Sequence, residues 1–105
     1  MEKSDRIEKL QAMLRKNPTD TFLLYALGME YKKTNPAEAM KLFRQVIEIE
    51  PNHGYAYYQL GQTHELTGDT ASAAAAYREG MVAARRGGDA HAAQEIEVAL
   101  QMISP

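Results

Sequence analysis

Two stretches of the sequence carry one pattern, LYALGMEY at residues 24–31 and YYQLGQTH at residues 57–64, and this pattern decides the fold. Each stretch contains a Leu-Gly pair, and the glycines Gly28 and Gly61 are 61 − 28 = 33 residues apart. Self-similarity at a fixed period of about 20 to 50 residues is typical of repeat proteins, whose units bury their apolar faces against one another. A glycine inside a helix costs about 1 kcal/mol relative to alanine, so its recurrence indicates the close approach of a neighbouring helix.

The rest of the chain is divided into segments of helix length by breaks that contain proline or glycine. Within the segments, apolar residues recur three and four positions apart, and Ala, Leu, Met, Glu, Lys and Gln are frequent. This spacing and composition favour helices, and no alternating strand pattern competes with them. The sequence therefore predicts an all-α protein of about six helices, separated at Asn17-Pro18, Asn35-Pro36, Pro51-Asn52, Gly68-Asp69 and Gly87-Gly88-Asp89.

The repeated unit resembles the tetratricopeptide repeat (TPR), a unit of about 34 residues that forms two helices, A and B. The first copy matches this family at Leu24, Leu27, Gly28, Tyr31, Ala39, Phe43 and Pro51, and the second at Tyr57, Leu60, Gly61, His64, Ala73 and Tyr77. The resemblance implies an α-solenoid of antiparallel helix pairs. We expect a single domain of residues 1–105, with an N-terminal B-type helix at 4–17, repeat 1 at 20–52, repeat 2 at 53–87 and a capping helix at 89–103.

Composition and charge disfavour several classes of partner. The formal net charge of −2 provides no positive field that would gather nucleic acid or an anionic membrane. The N-terminus is charged from Glu2 onward and has no apolar stretch of the kind that a secretion signal needs. The longest apolar run, residues 22–29, is far shorter than the roughly 20 residues of a membrane span. We therefore expect a cytoplasmic protein that binds neither nucleic acid nor membrane.

The sequence also offers little for catalysis or for a metal ion. It has no cysteine, and no two of the histidines His53, His64 and His91 are three or four positions apart. A glycine-rich phosphate loop and a nucleophile motif are both missing. We therefore predict a protein that is not an enzyme and needs no cofactor or metal, in which His64 packs in the tyrosine position of the repeat.

A binding surface is implied by the family resemblance. In this family the A helices line a concave groove that holds a segment of a partner protein. Ala26 and Gln59 stand where one subset of the family uses asparagine to hold a terminal carboxylate, so that subset is disfavoured, and apolar anchoring of an extended or helical peptide is expected instead. Carried over by position, the groove residues are Phe22, Tyr25, Met29, Lys32, Lys33, Tyr55, Tyr58, Gln62 and Glu65.

Two alternatives remain open for these residues and for the function. Some of the aromatic side chains could simply pack on the first or the last helix rather than face a ligand. The chain could also be a structural self-assembly or spacer unit, because short repeat stacks leave end faces that a second copy can bury. The leading hypothesis is a scaffold-type module for protein–protein interaction, and the identity of its partner is not encoded in the repeat pattern.

Overall fold

Six α-helices make up the part of the chain that the computed structural model describes, which is residues 2–103, with side chains from residue 5 onward. This range contains no strand, so the predicted all-α fold of about six helices is confirmed. The first helix begins two residues before the expected boundary at residue 4 and ends one residue before residue 17. The helices are α1 (Glu2–Lys16), α2 (Thr21–Tyr31), α3 (Pro36–Ile49), α4 (Gly54–Leu66), α5 (Thr70–Arg86) and α6 (Ala90–Ile103).

Polar side chains at the helix starts explain where most of these helices begin. A side chain in each preceding turn accepts a hydrogen bond from a backbone N–H that has no partner inside the helix. Pro36 adds to this at α3, because a proline in the first helical position has no N–H to satisfy. The capping residues are Asp20 for α2, Asn35 for α3, His53 for α4, Asp69 for α5 and Asp89 for α6.

The two repeat glycines each face an aromatic ring of the following helix. A Cβ on Gly28 would lie 2.6 Å from Cε1 of Phe43, and a Cβ on Gly61 would overlap the ring of Tyr77. Both rings are fully buried. The close approach expected at these glycines is thus the seating of an aromatic side chain on a bare stretch of helix, which joins α2 to α3 and α4 to α5.

Successive helices pack against one another along the chain, and α4 also contacts α6. Lys32, directly after α2, donates to Gln59 and Gln62 of α4, so α2, α4 and α6 lie on one side of the stack. The clusters of buried residues lie between neighbouring helices rather than in one central core. The α4 helix is the most enclosed, because it contacts α3, α5 and α6. Its Tyr55 and Tyr58 face one side of the stack, and its Tyr57 and His64 face the other.

Because the phenol of Tyr77 is buried, we predict that the protein loses stability at alkaline pH. Burial first, and then the Glu65 carboxylate that accepts its hydrogen bond, raise the pKa of Tyr77 above the ordinary value of 10.0. Above about pH 10 the unfolded chain loses this proton while the native chain keeps it, so the free energy of unfolding falls as pH rises. Urea denaturation followed by circular dichroism from pH 8 to 11.5 should show this decline. The decline should be shallower in Tyr77→Phe, and equal slopes in the two proteins would contradict the assignment.

Candidate functional site

The surface shared by α2, α4 and α6, here called the A-helix surface, contains all nine residues that the family resemblance selected. The positions on α2 and just beyond it are spaced three and four apart, so they form one stripe. The positions on α4 form a second stripe beside it. The first stripe is Phe22, Tyr25, Met29, Lys32 and Lys33, and the second is Tyr55, Tyr58, Gln62 and Glu65.

The middle of the A-helix surface is aromatic. Tyr25 is half-buried, with its ring stacked on His53 and edge-on to Phe43, at centroid distances of 5.6 Å in both cases. Tyr58 meets Tyr55 edge-on at 6.3 Å. Burial foremost raises the pKa of Tyr25, and the neighbouring Tyr58 adds to this rise. The Tyr25 phenol is therefore neutral at physiological pH and presents a polar hydroxyl on an apolar body.

Tyr55 packs partly on the last helix, which is the alternative to facing a ligand that the sequence left open for the aromatic residues. Its hydroxyl donates to Oε1 of Glu95 at 3.1 Å, and its ring packs against a cluster that includes Ala92 and Ala93 of α6. The same Glu95 oxygen lies 2.6 Å from Nε2 of His91. Burial and the hydrogen bond to Glu95 raise the pKa of Tyr55. Tyr55 therefore borders the surface and also joins α4 to α6.

A fixed lysine lies beside the aromatic residues. Nζ of Lys32 donates to Oε1 of Gln59 at 2.7 Å and to Oε1 of Gln62 at 2.6 Å. Burial, followed by the charge of Lys33, lowers the pKa of Lys32 from its ordinary value of 10.5. The two amides satisfy the ammonium without neutralising it, so a positive charge is held at a defined place. Lys32 and Lys33 also line a hollow of about 240 Å³ with Gln62, Glu65 and Leu66.

Two apolar side chains of the surface extend into solvent. Phe22 is 78% exposed and Met29 is 40% exposed. Both belong to the same stripe of α2 as Tyr25 and Lys32. The A-helix surface therefore combines accessible apolar area, half-buried phenols and a held cation.

Three further residues contribute to this surface, although the sequence did not indicate them as part of the groove. Gln59 is 8% exposed and forms one of the two bonds to Lys32, although its position was used only to exclude a carboxylate-binding asparagine. His53 caps α4, and its ring also supports Tyr25. Glu95 lies on α6, which has no Leu-Gly pair that would set its register. A polar residue next to the Leu-Gly pair was the one signal that could have indicated Gln59.

His64 is half-buried and His91 is exposed. Among the side chains of residues 5–103, no group of three or more His, Cys, Asp or Glu is arranged to hold a metal ion. No helix within residues 2–103 is long and apolar enough to cross a membrane. The cytoplasmic location stays a prediction.

Comparison with known proteins identifies similar helical repeats. The tetratricopeptide repeat family matches residues 30–96. A TPR repeat-containing protein of Pseudomonas aeruginosa is 31% identical over 98 residues, which cover 92% of this chain and 93% of that protein. A solution structure from Bordetella parapertussis has a TM-score of 0.80 at 29% identity, covering 93% of this chain and 86% of the other. A tetratricopeptide repeat domain protein from Salinibacter ruber, also solved in solution, has a TM-score of 0.76 at 32% identity, with 83% and 89% covered.

Proposed function

Because this chain belongs to the tetratricopeptide repeat family, we propose that its A-helix surface is a groove that binds a peptide or helix of a partner protein. Proteins of this family generally mediate protein–protein interactions and are typically not enzymes. Binding rather than catalysis is therefore the proposed activity, and a small scaffold is the proposed role. The groove would consist of the nine residues of the two stripes, supported by His53, Gln59 and Glu95.

The observation that carries this proposal is the held ammonium of Lys32 beside exposed apolar side chains. Lys32 makes two hydrogen bonds of 2.6 and 2.7 Å to neutral amides, so its charge remains available to a ligand. Lys33 adds a second cation, against the single carboxylate of Glu65 in the same hollow. The fitting ligand is a segment with one or two apolar anchors, which would cover Phe22 and Met29, next to an acidic side chain.

End-to-end self-assembly has weaker support from the residues at the two ends of the stack. The first residues of α4 and α6, Gly54 and Ala90, are 90 − 54 = 36 residues apart, so the position in α6 that corresponds to Gly61 is residue 61 + 36 = 97. The exposed Glu97 there would prevent an aromatic ring from seating. The position in α1 that corresponds to Ala39 is residue 39 − 33 = 6, and Arg6 there pairs with Glu30 at 2.8 Å. A second copy would have to bury these polar side chains, which is unfavourable. Light scattering over a concentration series tests this alternative.

The groove proposal is tested with two identical substitutions on different helices. Met29 on α2 and Met13 on α1 are 40% and 50% exposed, so Met29→Glu and Met13→Glu should both leave the fold intact. Peptides selected on the wild-type protein from a random 12-residue display library provide the ligands. We expect Met29→Glu to weaken their binding about tenfold or more by calorimetry, since burying a new carboxylate in an anchor site costs at least about 1.4 kcal/mol.

The outcome of this comparison separates the groove from other surfaces. Met13→Glu should bind the selected peptides as the wild type does. Amide signals of Tyr25, Met29, Tyr58 and Gln62 should shift on titration with peptide. Equal affinities for the two variants, or shifts confined to α3 and α5, would refute the groove.

A further inference from the structure

A second pocket, of about 470 Å³, lies between α3, α4 and α5 on the opposite side of α4 from Tyr55 and Tyr58. It is open because α5 contributes small side chains there, including Ala75 and Ala76, where larger residues would close the space. Ile47 of α3 and Leu60 of α4 complete an apolar middle section. We call this space the B-helix pocket, since it separates α3 and α5, the B helices of the two repeats.

The two ends of the B-helix pocket carry opposite charge. At one end Arg44 lies near His64, and burial foremost, followed by the charge of Arg44, lowers the pKa of that imidazole. At the other end Glu79 lies near Tyr57, where burial and then the Glu79 charge raise the pKa of the phenol. Glu48 follows Arg44 by one helical turn and so lies toward the Tyr57 end. A cationic end and an end with two carboxylates therefore enclose the apolar middle.

The charged side chains that line the B-helix pocket are available to a ligand. Arg44, Glu48 and Glu79 are exposed, and in the part of the chain that the structure describes the ion pairs within 4 Å involve other residues. Nearby groups of opposite sign are held outside the lining of the pocket. The Asp69 carboxylate caps α5 by accepting from the Ser72 N–H at 3.0 Å, and Arg86 donates to Oδ1 of Asn52 at 3.3 Å.

The spacing of the lining residues matches the spacing of side chains on a helix. On α5 the lining runs from Ser72 to Glu79, seven positions that span about 10 Å at 1.5 Å per residue. Side chains at positions i, i+3 or i+4, and i+7 of another helix cover the same length on one face. Recognition of a helix in a groove uses anchors at this spacing.

We propose that the B-helix pocket is a docking site for an α-helix of a partner protein that carries an acidic, an apolar and a basic side chain on successive turns. The acidic side chain would pair with Arg44, the apolar one would pack on Leu60 and Ala75, and the basic one would lie between Glu48 and Glu79. Charge complementarity at both ends selects this occupant over a uniformly charged one. The site is independent of the A-helix surface, and either proposal can fail without the other.

Three synthetic helical peptides of about 20 residues test this site. They share an alanine-rich sequence and a central leucine, and carry Glu and Lys, two Glu, or two Lys at positions i and i+7. By fluorescence anisotropy at low salt, we expect the wild-type protein to bind the Glu/Lys peptide about tenfold more tightly than either of the others. Arg44→Glu makes both ends acidic, so its preference should change to the Lys/Lys peptide.

Matched variants separate this result from general charge effects. Lys41→Glu changes the net charge as Arg44→Glu does, but Lys41 lies on α3 outside the pocket lining, so its peptide preference should stay that of the wild type. Met13→Glu on α1, where Met13 is 50% exposed, should also retain the preference. Equal binding of the three peptides, an unchanged preference in Arg44→Glu, or the same change in Lys41→Glu would overturn the proposal. Concentration-dependent dimerisation abolished by Arg44→Glu would assign the pocket to a second copy instead.

Discussion

Replacement of Phe43 by alanine is expected to lower the free energy of unfolding by about 3 to 5 kcal/mol. Phe43 is fully buried, with its ring seated on Gly28 and its edge directed at Tyr25. Removing the ring loses its transfer free energy and leaves a cavity between α2, α3 and α4. Domains of this size are stable by only about 5 to 15 kcal/mol, so this variant should be close to unfolded at 37 °C.

The control for this prediction is the other phenylalanine of the chain. Phe22 is 78% exposed, so Phe22→Ala should change the free energy of unfolding by less than about 0.5 kcal/mol. Urea denaturation monitored by circular dichroism at 25 °C gives both values, and unchanged m-values would show that the unfolding transition is the same one. Comparable losses for the two variants would mean that the ring of Phe43 does not contribute the buried contact described above.

Much of the fold could be predicted because the repeat signal and the helix caps act locally. The Leu-Gly pairs fix which face of α2 and α4 receives an aromatic ring, and Asn35-Pro36 fixes the start of α3. The start of α1 was less well defined, since several adjacent polar residues can begin a helix. The register of α6 was also undefined by the repeat, because its buried face uses Ala92, Ala93 and Ile96 without a glycine.

The binding surfaces could be predicted only as stripes of positions. Helical spacing alone puts Tyr25 beside Met29 and Tyr58 beside Gln62. The hydrogen bonds of Lys32 to Gln59 and Gln62 depend on how α2 and α4 are placed against each other and on the rotamers of long side chains, neither of which the repeat pattern specifies. The B-helix pocket was missed for a different reason. Alanine in a repeat is interpreted as a packing residue, and unfilled volume beside Ala75 becomes visible only in three dimensions.

Substitution of Gly61 by alanine is expected to destabilise the protein by up to about 2 kcal/mol, the reverse of what helix propensity alone predicts. In a helix interior, alanine is favoured over glycine by about 1 kcal/mol. Here the added methyl group would overlap the ring of Tyr77, and overpacking of a rigid, buried ring costs about 1 to 3 kcal/mol. The ring cannot move aside easily, because it is fully buried and its hydroxyl is held by Glu65.

A double-mutant cycle separates these two effects on stability. Tyr77→Leu removes the ring atoms Cε1 and Cζ that approach Gly61 and leaves methyl groups that can rotate away. In that background Gly61→Ala should stabilise the protein by about 0.5 to 1 kcal/mol, since the helix propensity term then acts alone. The sign of the Gly61→Ala effect should therefore depend on residue 77, with a coupling energy of about 1 to 3 kcal/mol from urea denaturation. If Gly61→Ala has the same effect in both backgrounds, a glycine at position 61 is not required to accommodate the ring of Tyr77. The Leu-Gly pair would then mark the family without explaining its packing.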